Sequence, residues 1–190
     1  LSEKPCKPFD KNRNGLSLGE AAGTIILSNL PPKGKQKIKF RGGASANDAN
    51  HISGPSRTGE GYYIEIKKAL IEAGIESDKI DHISAHGTAT PYNDEMESIA
   101  ITRHSLQSKP VNSIKGSLGH TLGAAGIIES IILLEEMRNN TLLKTMGFAE
   151  IGVSNDINIL TENTEKDINT CLKMASGFGG SNAAMIISKE

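Results

Sequence analysis

Two histidines each stand in a glycine-bearing turn: His86 opens HGTATP (86–91) and His120 closes KGSLGH (115–120). His86 follows an apolar, strand-like stretch at 80–85, and α/β proteins gather their sites at the carboxyl ends of strands. Taken alone, such a histidine more often bonds nearby backbone. His82 and His86 cannot share a metal, because four residues along a strand span about 13 Å against ligand distances of about 2.1 Å. His120 sits at the expected start of a long helix, where free backbone N–H groups and the positive dipole end disfavour imidazolium. A neutral imidazole there can donate to a carbonyl oxygen and take up developing negative charge; capping the helix is its plainer role. Lys115 lies five residues earlier, on a loop leaving a short strand, and its plainer role is a solvated surface cation. Glu129 interrupts the apolar run 127–134. It either points to water or is buried and needs a cation, for which Lys115 is the nearest candidate. GFGGSN (177–182) offers backbone amides suited to an oxyanion, or simply a turn between two strands. A P-loop is absent, and no GxGxxG joins a strand to a helix, which argues against nucleotide binding.

These loops need elements to hold them. Residues 61–73 carry Tyr63, Ile66, Leu70 and Ala73 at helical spacing, and Gly74 supplies a stop. Residues 79–85 alternate and read as a strand. Residues 91–104 read as a helix with Asn93 or Asp94 near its start and acidic residues in its first turn. A short strand is expected at 111–114, the longest helix at 120–138, short strands at 156–160 and 171–175, and a final buried strand at 183–188. Upstream, 1–20 read as loop and 21–29 (AAGTIILSN) as a buried strand. A turn is expected at 30–36 and a strand at 37–46, with Ile38 and Phe40 on one face; the two strands are expected to pair antiparallel. Residues 47–59 read as a polar loop. Strand–helix alternation over 60–138 followed by strands predicts an α/β layered fold with a mixed sheet.

Composition narrows the function classes. The chain has 190 residues, one good-sized domain or two small ones, with 37% hydrophobic and 23% charged residues. Twenty-one basic against 22 acidic residues leave a net charge of −1, so no basic excess exists to grip a nucleic acid. Cys6 and Cys171 are too few for a disulfide framework, which suits a reducing, cytoplasmic setting. No apolar run reaches membrane-spanning length, and the polar start LSEKPCKPFDKNRNG is unlike a signal peptide. A start without Met suggests a chain processed or cut from something longer.

The joint order HGTATPxxDxxE, KxxxGHxxGAAGxxE and GFGGSN resembles the β-ketoacyl-acyl-carrier-protein synthase family of the thiolase superfamily. PCKPFDKNRNGLSLGEAAG and HISGPSRTGEG are similar to further family segments, so the resemblance covers almost the whole chain. It implies the C-terminal half of an αβαβα layered fold at 48–190, with 1–47 the tail of the N-terminal half, a loop and its last strand pair. It implies a 3-oxoacyl synthase performing decarboxylative Claisen condensation between an enzyme-bound acyl group and malonyl-acyl carrier protein. The full-length enzyme would be a homodimer with no cofactor of its own, since phosphopantetheine arrives on the carrier. The nucleophilic cysteine would lie upstream, because Cys6 and Cys171 stand outside the family's nucleophile motif; this chain alone would be inactive. The resemblance makes His86 and His120 the catalytic histidines and Lys115 their orienting partner, with Glu129 beside it. Asp94 and Glu97 would form the nearby polar network, and Thr88 and Thr90 would contact the pantetheine arm. Phe178 would gate the acyl pocket and contribute its N–H to the oxyanion hole. Ser176 where the family commonly has Phe, Ile114 for Thr, and Leu143-Lys144-Thr145 for Pro-Pro-Thr bear on acyl specificity, and fit polyketide or polyene synthesis as well as fatty-acid synthesis. A non-catalytic, chain-length-factor-like partner subunit is the alternative.

Overall fold

A computed structural model describes residues 1–30, 36–51 and 54–190. Its centre is a five-stranded mixed sheet. In chain order the strands are β1 (Ile38–Asn47), β2 (His82–Ser84), β3 (Val111–Asn112), β6 (Thr170–Gly177) and β7 (Ser181–Lys189). They lie in the order β1-β7-β6-β2-β3, with β1, β7 and β6 successively antiparallel and β6, β2 and β3 parallel. The helices are α1 (Glu60–Ala73), α2 (Pro91–Arg103), α3 (Lys115–Leu118) and α4 (Ala125–Asn139); β4 (Thr141–Leu142) and β5 (Thr164–Glu165) form a small antiparallel pair.

The period-2 alternation of strands divides the sheet's residues between two cores. Leu172, Met174 and Ile186 face a core shared with Tyr62 and Ile66 of α1 and Ile101 of α2. Cys171 and Ile187 face a second core with Leu133 and Met137 of α4. Each fully buried Ile or Leu stabilises the fold by about 1.5–3 kcal/mol, so the two faces fix the register of every strand between them. Polar residues follow the same alternation: His82 meets Glu136 of α4 at 3.6 Å, while Ile83 next to it joins the α1 core. α1 ends at Gly74, in the left-handed conformation with its N–H bonded to Ile71 and Leu70 carbonyls. The end of α1 can lie close to β1 because Gly42 has no side chain; a Cβ there would sit 2.7 Å from Ala73 N.

Several sequence expectations change. Residues 21–29 form no strand: they are irregular, with Ile26 87% and Leu27 79% exposed. The strand expected at 37–46 exists, but its antiparallel partner is β7, from Ile38↔Lys189 to Asn47↔Ser181. Apolar composition makes 21–29 look like a strand, yet a strand needs a ladder partner, and the described residues place none there. Residues 31–35 of the expected turn lie outside the described residues. The strand expected over 79–85 is shorter, preceded by a 3-10 turn at Ser77–Lys79. The stretch 156–160 contributes only a parallel bridge from Ile159 to Val111. The long helix begins at Ala125 after a 3-10 turn at Leu122–Ala124, so His120 precedes it instead of capping it. The segment 1–20 is irregular but partly internal: Phe9 is fully buried, and bridges join Asp10 to Ile151 and Leu18 to His120. No helix among the described residues is long and apolar enough to cross a membrane.

Candidate active site

β3, β2 and β6 run parallel, so their carboxyl ends open at one edge of the sheet. The chain leaving β2 carries His86, that leaving β3 carries Lys115, and that leaving β6 reaches Phe178. His120 arrives from a different direction. Its backbone N–H donates to Ser17 O at 2.7 Å and its carbonyl accepts from Gly19 at 3.1 Å, so the N-terminal segment fixes it. The rings of His86 and His120 meet edge to face, centroids 5.2 Å apart and planes at 82°.

The turn after β2 is held by carboxylates of α2. Glu97 accepts the backbone N–H groups of His86 and Gly87, both at 2.6 Å, and the Asn93 amide at 3.0 Å. Asp94 accepts Phe9 N–H at 2.7 Å and Ala89 N–H at 3.1 Å, and Arg13 Nε lies 3.8 Å away. Gly87 is required here: its φ is +48°, and a Cβ would fall 2.5 Å from Ser113 Cβ. Burial pushes Glu97 up to about 7, helped by the charge of Asp94 and opposed by the His86 and Gly87 N–H groups. Burial likewise raises Asp94 to about 6, against the Phe9 N–H and Arg13. The Thr88 and Thr90 hydroxyls lie 2.8 Å apart and bond each other.

Lys115 is 1% exposed. Its ammonium donates to His86 Nδ1 at 3.2 Å and to the His86 carbonyl, and forms an ion pair with Glu129. Glu129 is thus buried and paired. Its other oxygen lies 2.7 Å from the Lys173 ammonium, which also donates to the Met174 carbonyl. Burial alone would raise Glu129, but the Lys173 and Lys115 charges outweigh it and hold the carboxyl below its ordinary value.

These contacts set the proton positions on both rings. An ammonium at His86 Nδ1 makes that nitrogen the acceptor, leaving the hydrogen on Nε2. Leu122 N–H donates to His120 Nδ1 at 3.2 Å, which assigns its hydrogen to Nε2 in the same way. Burial holds His86 well below the ordinary imidazole range, with Lys115, Lys173 and His120 adding to the effect. Burial and then Lys115 lower His120, partly offset by Glu129. The lowering of His120 that a helix terminus was expected to provide therefore comes from burial and lysine charge. Both rings are neutral N–H donors at physiological pH.

Phe178 sits in the β6–β7 turn, 84% exposed. Cys171 is buried in β6, where desolvation pushes its thiol well up and disfavours a thiolate. Cys6 is buried with its thiol on the Lys115 carbonyl at 3.1 Å. Among the described residues no cluster of three His, Cys, Asp or Glu could hold a metal. Lys173 was missed, although a single charge inside the apolar stretch CLKMA was its visible signal. Arg13 and Ser113 had none, because their contacts with the site cross 26 or more positions.

Residues 39–149 match the family described as beta-ketoacyl synthase, C-terminal domain. A putative mitochondrial 3-oxoacyl-[acyl-carrier-protein] synthase of Schizosaccharomyces pombe is 34% identical over 96% of this chain and 46% of its own length. 3-Oxoacyl-[acyl-carrier-protein] synthase 2 of Rhizobium meliloti is 35% identical over 98% and 46%. The solved complex of a ketosynthase with its chain length factor from Xenorhabdus doucetiae superposes with a TM-score of 0.92 at 32% identity, covering 100% of this chain and 47% of the matched one. The α/β fold is thus that of the thiolase-like ketosynthases, and the chain spans about half the length of the curated relatives it matches. On the match over 39–149, which takes in both histidine turns, this chain belongs to the β-ketoacyl synthase C-terminal domain family.

Proposed function

We propose that this chain is the two-histidine half of a 3-oxoacyl-[acyl-carrier-protein] synthase. The observation that carries this reading is the pair of neutral Nε2–H donors on His86 and His120, held with ring centroids 5.2 Å apart. Two such donors suit one oxygen that gains negative charge. In the proposed reaction the carbon–carbon bond to the malonyl carboxylate breaks and carbon dioxide leaves. The electron pair stays on the thioester as an enolate, whose oxygen the two N–H groups hold. The α-carbon then attacks an acyl thioester on a cysteine, the thiolate departs, and 3-oxoacyl carrier protein remains.

Neither buried cysteine of this chain suits the acyl-bearing role, so that nucleophile belongs to another half. Residues 48–190 are read as the C-terminal half and the irregular start of 1–47 as the tail of the other. We count β1 with the C-terminal half, because its ladder bonds go to β7. Lys115 orients His86, Glu129 anchors Lys115, and Asp94 and Glu97 hold the HGTAT turn. Thr88 and Thr90 are assigned to the pantetheine arm, and Phe178 to the gate of the acyl pocket with its N–H on the oxyanion. Acyl carrier protein as partner is supported by a related solved complex of an acyl-carrier protein with its ketosynthase, 31% identical with a TM-score of 0.76. A homodimer and a reducing, cytoplasmic setting complete the reading.

A second reading, a non-catalytic partner subunit, has one observation in its favour: two of the similar structures are ketosynthase complexes with a chain length factor. The intact His86–His120–Lys115 cluster favours the enzyme. The test is His86→Ala and His120→Ala in the complete protein. Each is expected to lower condensation by roughly 100-fold or more, the size of losing one oxyanion donor, while acyl loading of the cysteine continues. Condensation at wild-type rate in both variants overturns the reading.

A further inference from the structure

Glu129 has two cations where its neighbourhood needs one. Lys115, at the start of α3, takes one oxygen and Lys173 of β6 reaches 2.7 Å from the other; the three side chains are 1%, 3% and 5% exposed for Lys115, Lys173 and Glu129. A buried Lys115–Glu129 pair would be neutral by itself, and burying another ammonium beside it is costly without further partners. The protein supplies those partners: the Met174 carbonyl accepts from Lys173, and the Ser84 carbonyl lies 3.5 Å from its ammonium. The cost is incurred next to the histidines, since Lys115 also donates to His86 Nδ1. Alternation in β6 places Lys173 on the α4 face with Cys171, so it could not be solvated without breaking the register.

We propose that Lys173 is a positioning residue for the histidine pair: it converts a neutral Lys115–Glu129 pair into a cationic Lys–Glu–Lys triad that biases the site toward an anionic ligand. It touches neither ring and acts through Glu129 and Lys115. The charge of the triad opposes imidazolium formation at His86 and His120 and attracts the negative charge of a carboxylate or an enolate oxygen. The groups facing Lys173 are Glu129 on α4, Lys115 on α3, His86 and His120 in their turns and Glu65 on α1. Of these, Glu65 is raised to about 10 by burial, so it is neutral at physiological pH and leaves the triad's charge uncancelled.

The assignment of an enolate rests on the proposed synthase activity; the charge argument does not. The experiment therefore follows histidine titration by NMR in the complete protein, alongside condensation kinetics, for wild type, Lys173→Met and Lys173→Arg. Lys173→Gln keeps a donor without the charge and serves where the Met variant fails to fold. In the uncharged variants both imidazoles are expected to titrate at higher pH than in wild type. kcat is expected to fall by up to roughly 100-fold, the effect of misplacing a catalytic group by about 1 Å, with KM for the acyl donor little changed; Lys173→Arg restores both. Unchanged histidine titrations in a folded, uncharged variant overturn the proposal. Wild-type condensation in both His86→Ala and His120→Ala would instead overturn the synthase reading and leave the titration result to decide Lys173.

Discussion

Glu65 lies on α1 with its side chain fully buried and neither carboxyl oxygen bonded among the described residues. Burial pushes it up to about 10 from an ordinary 4.5, with Glu97 and Asp48 adding to the rise and Lys173 opposing it. The folded protein therefore holds Glu65 protonated at neutral pH, whereas the unfolded chain ionises it. Above pH 4.5 the unfolded state has fewer protons at this position, so stability falls as pH rises from about 4.5 until the folded group ionises near 10. The slope is about 1.4 kcal/mol per pH unit. At pH 7 the interval is about 2.5 units, an order-of-magnitude cost of about 3 kcal/mol. Glu65→Gln is nearly isosteric and cannot ionise, so it should remove this cost; its unpaired amide will offset part of the gain. Urea unfolding of wild type and variant at pH 5, 6, 7 and 8 separates the two effects. The amide penalty is constant across pH, while the gain from removing the titration grows with each unit. The contributions of Glu97 and Asp94 are common to both proteins and cancel. A stability difference that stays flat from pH 5 to pH 8 would refute the reasoning and mean that Glu65 is ionised and paired in the folded protein.

Glu129→Gln leaves Lys115 and Lys173 facing each other without a counter-charge; a loss of roughly 3–5 kcal/mol is expected, and an unchanged melting temperature by calorimetry would contradict the buried triad. Gly87→Ala must occupy φ +48° with its Cβ against Ser113; strain of about 1–3 kcal/mol and a displaced His86 resonance are expected, and wild-type stability with an unmoved resonance would exclude this packing. With both imidazoles below their ordinary range, condensation should hold its rate at pH 6.5, where a free histidine is half protonated; a half-loss centred there would show that a catalytic ring is not desolvated. In the 190-residue chain by itself, amides at 21–28, which lack ladder bonds, should exchange with deuterium faster than those of β7, and equal protection would show that this segment is paired.

The residue order by itself determined a large share of this protein. Helices α1 and α2 were legible because their apolar spacing, the Gly74 stop and the acidic first turn are local signals. The cluster of His86, His120 and Lys115 draws on two motifs visible in the sequence, HGTATP and KGSLGH, which constrain backbone as well as side chain. What local signals could not decide was partnership. The apolar composition of 21–29 resembles a strand, but a strand exists only where a ladder partner stands beside it, and β1 found that partner 134 to 151 positions away in β7. Glu129 read as either solvated or paired, and Lys173 as one charge in an apolar stretch. Only the side-by-side placement of β6, α3 and α4 revealed one carboxylate shared by two ammoniums. The neutrality of His120 has the same origin: it sits ahead of its helix, and its proton affinity is lowered by burial and by lysine charge brought in through the tertiary fold. Electrostatic energy depends on distance and on exclusion of water, and both are properties of the packed chain that the order of residues does not carry.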